Sequence, residues 1–270
     1  MGVERIDEAD DPRLADYRGV SEPALLRSAG LFVAEGRQVV RTLLSASSYP
    51  VRSVLLTETA YEALRDVVEP RLPGLRVCLV PQRLLEPVTG FNINRGCLAI
   101  GERPPGVALA AWLERAPRPR ALVAAEGVAN PDNLGGLFRN AHAFGAGALI
   151  LGPACGDPLY RKCIRVSMGA ALRVPWVEGV PWPACLRQLA TDGFAVVALT
   201  TDRRAVTIEA AARHAFERVV IVAGSEGEGL TDAARDAATI AVRIPMAPGA
   251  DSLNVATAAG IALHRLARVP

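Results

Sequence analysis

The chain has 270 residues, is 50% hydrophobic and 21% charged, and carries a formal net charge of +2. That composition excludes a disordered chain, which needs low hydrophobicity and high net charge, and a polyelectrolyte of histone-like basicity; the length suits one large domain or two small ones. Of the 30 basic residues only Lys162 is a lysine, and arginine grips phosphate bidentately and stacks on bases as lysine does not, although a codon-biased genome produces the same excess. The first 16 residues carry six acids against two arginines, which leaves residues 17–270 at +6.

In chain order, the amino-terminal stretch is charged throughout and has no apolar segment of a secretory signal. From residue 31, strand-like LFVAEG, VRSVLL, RVCLVP and GCLAIG alternate with helix-like RQVVRTLLSA, ETAYEALRDVVE and QRLLEPVTG. Val40, Leu43 and Leu44, then Ala60, Leu64 and Val67, recur at helical spacings of three and four. This alternation predicts a small α/β domain over residues 1–105. Pro104, Pro105, Pro117 and Pro119 interrupt the pattern and predict a linker over 106–119. Beyond it, RALVAAEG, GALIL, FAVVALT, RVVIVAG and ATIAVRI are short continuous apolar runs, the pattern of parallel strands buried on both faces. Helices are predicted at DNLGGLFRNAHAFG, around Tyr160 to Ala171, at PACLRQLATD and at SLNVATAAGIALHRLAR. A second, open α/β domain over 120–270 places its ligands at the carboxyl ends of its strands. No uncharged apolar run reaches the ~18 residues of a spanning helix. Cys78, Cys97, Cys155, Cys163 and Cys185 form no CxxC pair and are odd in number, so neither a disulfide framework nor a metal site is expected, and a reducing cytoplasm is.

Three strand ends carry polar motifs. After the strand ending at Glu126, a polar turn leads to Asp132 and Asn133, either of which can cap a helix that carries Arg139. Gly135 and Gly136 near that helix start permit close approach of a ligand or of another helix. GSEGEG at 224–229 follows the next motif strand. Its two glutamates repel phosphate and suit a cationic or hydroxyl-bearing ligand, and it has neither the P-loop ending nor the dinucleotide spacing. IPM at 244–246 ends a strand before a loop and SLNV at 252–255. Ser252 and Asn254 stand where caps occur, but Asn254, a poor helix former read just inside the helix, points to a task for its side chain.

Taken together and in this order, NxxxxxR on a helix, GSEGEG after a strand, and IPM followed by SLNV resemble motifs 1, 2 and 3 of the SpoU/TrmH branch of the SPOUT RNA methyltransferases, over about residues 120–268. The preceding domain is similar, in its βα pattern and its FVAEG run, to the substrate-binding domain of that branch, which resembles kink-turn-binding ribosomal proteins. The resemblance implies an α/β fold: a SPOUT-type parallel-sheet catalytic domain with a C-terminal trefoil knot, preceded by a small α/β RNA-binding domain. It implies transfer of a methyl group from S-adenosyl-L-methionine to a ribose 2′-hydroxyl of a structured RNA, with ribosomal RNA expected and tRNA the alternative. It further implies a cytoplasmic homodimer with sites at its interface, and the small-residue helix from Val255 to Ala267 is expected to pack against another helix.

By motif position the resemblance assigns Asn133, Arg139, Glu226, Ser252 and Asn254 to catalysis, Gly224, Ile244, Met246 and Leu253 to the cofactor, and Arg165 to the RNA; it implies no metal. A guanidinium with a pKa above ~12 is a poor base. The expected role of Arg139 is therefore to fix the adjacent phosphate and stabilise the developing alkoxide, with Glu226 orienting Arg139 or Asn133. The chain departs from the family pattern at Ala256, where serine is frequent, and at Gly136, where alanine or asparagine is commoner. His142, His214 and His264 match no family position. Competing readings are a catalytically silent RNA-binding protein of the same fold and a small-molecule methyltransferase or nucleotide-binding enzyme.

Overall fold

Strands and helices follow the apolar spacing closely along most of the chain. The computed structural model describes residues 2–93, 95–116 and 118–267, in two units: Met1–Pro105 with Leu159–Arg173, and Gly106–Pro158 with Val174–Pro270. The first unit contains β1 (Val3–Arg5), α1 (Pro23–Ser28), β2 (Leu31–Glu35), α2 (Arg37–Ala46), β3 (Val51–Leu56), α3 (Glu58–Val68), β4 (Arg76–Leu79), α4 (Leu85–Thr89) and β5 (Cys97–Glu102). Its sheet runs β1-β4-β3-β5-β2, parallel from β1 to β3 and antiparallel where β5 meets β3 and β2. Of the residues at helical spacing Val40, Leu43, Leu44, Ala60 and Leu64 are buried, whereas Val67 is only half-buried and its neighbour Val68 takes the core position. Thr57 caps α3, its hydroxyl accepting from the Ala60 N–H at 3.3 Å.

The acidic amino-terminal arm gives no periodic signal, yet it contributes β1 and seats Ile6, Leu14, Tyr17 and Val20 in the core with Leu31, Leu55 and Ile100. The Tyr17 hydroxyl donates to Ser53 Oγ at 2.7 Å, and burial pushes its pKa well above the ordinary value.

The second half of the chain continues with α5 (Leu109–Arg115), β6 (Ala121–Glu126), α6 (Pro131–Ala143), β7 (Leu149–Leu151), α7 (Arg161–Val166), β8 (Trp176–Val177), α8 (Ala184–Thr191), β9 (Ala195–Leu199), β10 (Val206–Thr207), α9 (Ile208–Ala212), β11 (Val219–Gly224), α10 (Asp232–Asp236), β12 (Ile240–Arg243) and α11 (Val255–Leu266). Its seven strands form one parallel sheet in the order β10-β12-β9-β11-β6-β7-β8. The apolar runs supply its core, with Leu122, Ile150, Val196, Val220 and Val222 buried.

Two segments behave differently from expectation. The stretch 106–119, expected as a linker, carries α5, whose Leu109, Trp112 and Leu113 pack on the second core; the prolines bracket this helix rather than prevent one, and Pro117 lies outside the described residues. Residues 159–173, expected within the second domain, belong to the first unit. There the Arg161 guanidinium lies 3.7 Å from the centroid of Phe91 and donates to Glu35 at 2.9 Å, partners that no local spacing reveals.

Candidate active site

In the parallel sheet β11 lies beside β6, with Gly224 in register with Glu126, so the loops after both strands emerge together. β6 leads by way of β7 to one edge of the sheet and β11 by way of β9 to the other, and such a switch point opens a crevice at the carboxyl ends of the strands. Asn130, not Asp132 or Asn133, caps α6: its Oδ1 accepts from the Asp132 N–H at 2.8 Å. Asn133 is thereby released from capping and is buried at 7% exposure. Asn254 is the N-cap of α11 rather than a residue inside it, and its Oδ1 accepts from Ala256 N at 3.0 Å and Thr257 N at 3.2 Å. Backbone N–H groups can only donate, so this cap fixes which end of the amide is nitrogen. Nδ2 then donates to Asn133 Oδ1 at 2.7 Å and to Glu226 Oε1 at 2.8 Å. One side chain thus joins all three motifs.

Beside this cluster is a cavity of about 430 Å³ whose walls include Thr200, Gly224, Glu226, Ile244, Met246, Ser252 and Leu253. The volume is that of a small-ligand site. Gly224 is required by a close approach: a Cβ there would stand 2.2 Å from the Gly229 carbonyl carbon, where the loop folds back through a Ser225–Gly229 bridge. Ile244 and Met246 are half-buried and Leu253 is 37% exposed. These residues set apolar walls and peptide groups against two exposed carboxylates, Glu226 and Glu228, a donor set that fits a molecule part apolar and part cationic.

A model of the family described as SpoU rRNA methylase matches residues 120–264. Over 273 aligned residues the chain is 37% identical to an "uncharacterized tRNA/rRNA methyltransferase" of Mycobacterium bovis, covering 99% of this chain and 93% of that one. The chain belongs to the SpoU rRNA methylase family. Among solved structures it is similar to an RNA 2′-O ribose methyltransferase (26% identity, TM-score 0.77, 97% and 98% of the two chains). It is also similar to the SpoU methyltransferase AviRb of Streptomyces viridochromogenes in complex with AdoMet (25% identity, TM-score 0.73, 95% and 97%).

In this SpoU-family chain Arg139 is exposed on α6, and its side chain makes no hydrogen bond or ion pair among the described residues. Glu226 meets Asn254, and so orients the amide that holds Asn133 rather than Arg139 itself. Arg165 is placed in the first unit, 3.8 Å from Glu35, with 55% of its side chain exposed. Sequence reasoning passed over Glu126. Its buried carboxylate accepts from Trp182 Nε1 at 2.6 Å, Thr231 N at 2.9 Å and Thr231 Oγ1 at 2.9 Å, clamping the loop after β11 to the end of β6. It also passed over Thr200 and Thr201 in the cavity wall, although both follow an apolar strand at its carboxyl end, where the open-sheet rule would have found them.

Proposed function

We propose that this SpoU-family protein transfers a methyl group from S-adenosylmethionine to a ribose 2′-hydroxyl of ribosomal RNA. The observation that carries the reading is the Asn254 amide, held between Asn133 and Glu226 at the rim of the cavity. The AdoMet complex of AviRb and the name of the 2′-O ribose methyltransferase structure support it. Ile244, Met246 and Leu253 form apolar walls that exclude water, and the peptide groups of 224–229 are the hydrogen-bonding partners available for a cofactor. The bound cofactor supplies the sulfonium methyl. Glu226 and Glu228 make the mouth of the cavity negative, which favours a cation.

Arg139, unpaired and always charged, is free to take the phosphate beside the target ribose and to stabilise the alkoxide as its proton leaves to phosphate or water. In-line displacement demands that donor and hydroxyl be aligned, and the three-motif hydrogen-bond cluster is the rigid element on which that alignment rests. The first unit is the RNA-reading part of this proposal. A cleft there of about 700 Å³ is lined by Arg5, Arg37 and Arg95 with Asp7 and Glu58, and its size and arginines suit contact with a folded RNA. The trefoil knot belongs to the same reading, supported by the convergence on one cavity of the chain after β9, β11 and β12. The homodimer rests on the family alone, because the small-residue face of α11 that suggested it is occupied by α6 of the same chain. The five free thiols accord with a cytoplasmic site of action, and among the described residues no helix is long and apolar enough to cross a membrane.

The test is methyl transfer from labelled S-adenosylmethionine into RNA from a strain lacking the gene, followed by mapping of the alkali-resistant linkage. Incorporation into ribosomal RNA is expected. Arg139→Ala is expected to lower kcat/KM by about 10²- to 10³-fold with Tm and S-adenosylhomocysteine affinity intact, since the side chain is exposed and has no hydrogen bond or ion pair among the described residues. RNA binding without transfer would overturn the enzyme reading, and incorporation confined to tRNA would overturn the choice of substrate.

A further inference from the structure

A second basic feature of the parallel-sheet unit lies at the opposite end of its strands from the cavity. A groove of about 640 Å³ opens at the amino end of β6, lined by Arg115, Arg118 and Arg120 together with Trp112 and Phe144, and no carboxylate is among its lining residues. All three arginines are exposed, and none has a hydrogen bond or ion pair from its side chain among the described residues. Some exposed arginines elsewhere are tied to acids, Arg5 to Glu58, Arg52 to Glu102 and Arg204 to Asp202, and others, such as Arg71, Arg139 and Arg213, stand singly without a side-chain partner among the described residues; what sets Arg115, Arg118 and Arg120 apart is that they line one groove. A codon-driven excess of arginine would scatter such side chains among acids as readily as here. Three free guanidiniums around one groove, with no acid in it, form a built positive field.

The groove has a defined floor. A Cβ at Gly147 would stand 2.6 Å from Pro119 and 3.4 Å from the far edge of the Trp112 indole, so only a glycine lets the proline and the ring settle onto this strand end. Trp112 is half-buried against the core through α5, and Phe144, at the end of α6, sits 5.8 Å from the His264 ring. Arg118 has a φ of 28°, in the left-handed region, and its N–H donates to Ala116 O at 2.8 Å. Arg118 and Arg120 flank buried Pro119 in the chain.

We propose that this groove is a second RNA-binding surface, in which the three arginines hold backbone phosphates and Trp112 and Phe144 take the face of an unpaired base. The inference rests on the RNA reading of the protein and extends it to a surface remote from the methyl-transfer cavity. Free guanidiniums interleaved with aromatic rings match single-stranded nucleic acid, which offers phosphate and base face alternately; an acidic peptide would use the charges and leave the rings idle. β6 spans about 17 Å between Ala121 at the groove and Glu126, which is in register with Gly224 of the cavity wall. An RNA held at both ends would be fixed in direction as well as position, which a single phosphate contact at Arg139 does not achieve.

The experiment compares the intact protein with the triple variants Arg115→Gln/Arg118→Gln/Arg120→Gln and Arg115→Lys/Arg118→Lys/Arg120→Lys, by filter binding of a short mixed-sequence single-stranded RNA over a salt series. Loss of three phosphate contacts is expected to flatten the dependence of log affinity on log salt by about 2 and to weaken binding roughly 10-fold at moderate salt. The lysine variant should keep the slope, and kcat at saturating RNA should stay unchanged in both. Glutamine-variant binding equal to that of the intact protein overturns the proposal, as does an equal loss in the lysine variant, which would mark a structural effect. In a parallel series with polyglutamate as the probe, a loss confined to polyglutamate, with RNA binding unaltered, overturns it in favour of an acidic protein partner. Absence of methyl transfer by the intact protein, with the slope difference present, would sink the catalytic reading and leave the groove standing; unchanged KM and slope in an active glutamine variant would sink the groove alone.

Discussion

At the scale of single residues, Asn254 shows how one amide serves folding and chemistry together. Its oxygen caps α11 and its nitrogen holds Asn133 and Glu226. The two tasks separate by substitution. Asn254→Asp keeps an oxygen for the cap, where aspartate ranks with asparagine and the helix dipole favours its charge, so the cap should survive, and any fall in Tm reports the like-charge contact with Glu226. It also turns a donor into a carboxylate facing Glu226 and the Asn133 oxygen, and methyl transfer should fall by about 10²-fold or more. Asn254→Ala should lose both, with about 1 kcal/mol of stability gone with the cap. Thermal melts beside single-turnover assays check this, and an aspartate variant that transfers methyl at the intact rate would refute the donor role. Asn254 was visible in the sequence both as a residue out of place and, with Ser252, as a capping candidate, but which of the two caps α11 was not. Only the backbone at Asn254, with φ −50° and ψ 138°, selects it.

Among elements, the packing of α6 on α11 decides the site, because Asn133 lies in the first turn of one helix and Asn254 caps the other. The two departures from the family pattern prove to be a single contact. A Cβ at Gly136 would stand 2.6 Å from the Cβ of Ala256, so the helices approach as closely as two small residues permit. Asn140 Nδ2 donates across the same interface to Ala256 O at 2.6 Å, beside Gly260. Gly136→Ala gains about 1 kcal/mol of helix propensity but sets two backbone-tethered methyl carbons in collision, at a cost of about 1–3 kcal/mol. The expected outcome is a lower Tm together with slower methyl transfer, as the helix starts are levered apart; a raised Tm would show that the interface has slack. The same packing explains why a small-residue stripe read from sequence misleads about its partner. The stripe predicts a close helix neighbour, and that neighbour is supplied within the chain.

In the whole molecule, buried thiols and a phenol make alkaline pH the sensitive limit. Burial pushes the Cys97 and Cys185 thiols from an ordinary 9.0 up to about 11 and raises Tyr17 further above its own ordinary range. Above pH ~9 the unfolded chain gives up protons that the folded chain keeps, so the unfolded state binds fewer and stability falls as pH rises. Tm should therefore be level between about pH 6 and pH 9 and decline through pH ~11, with a shallower decline in Cys97→Ala; a level Tm from pH ~9 to pH ~11 would contradict the burial. The alternation of βα elements, the buried parallel strands and the three strand-end loops were all legible in the sequence. Apolar spacing and turn chemistry act within a few residues, and the sequence carries them whatever the rest of the chain does. Other features came only with the tertiary structure. These are the seating of 159–173 on Glu35 and Phe91, the docking of α5 on the second core, the clamp at Glu126, and the direction of each amide in the site. Each depends on groups tens of residues apart meeting at hydrogen-bond distance, and no local pattern encodes which distant partner completes a buried polar group or fills the space left by a glycine.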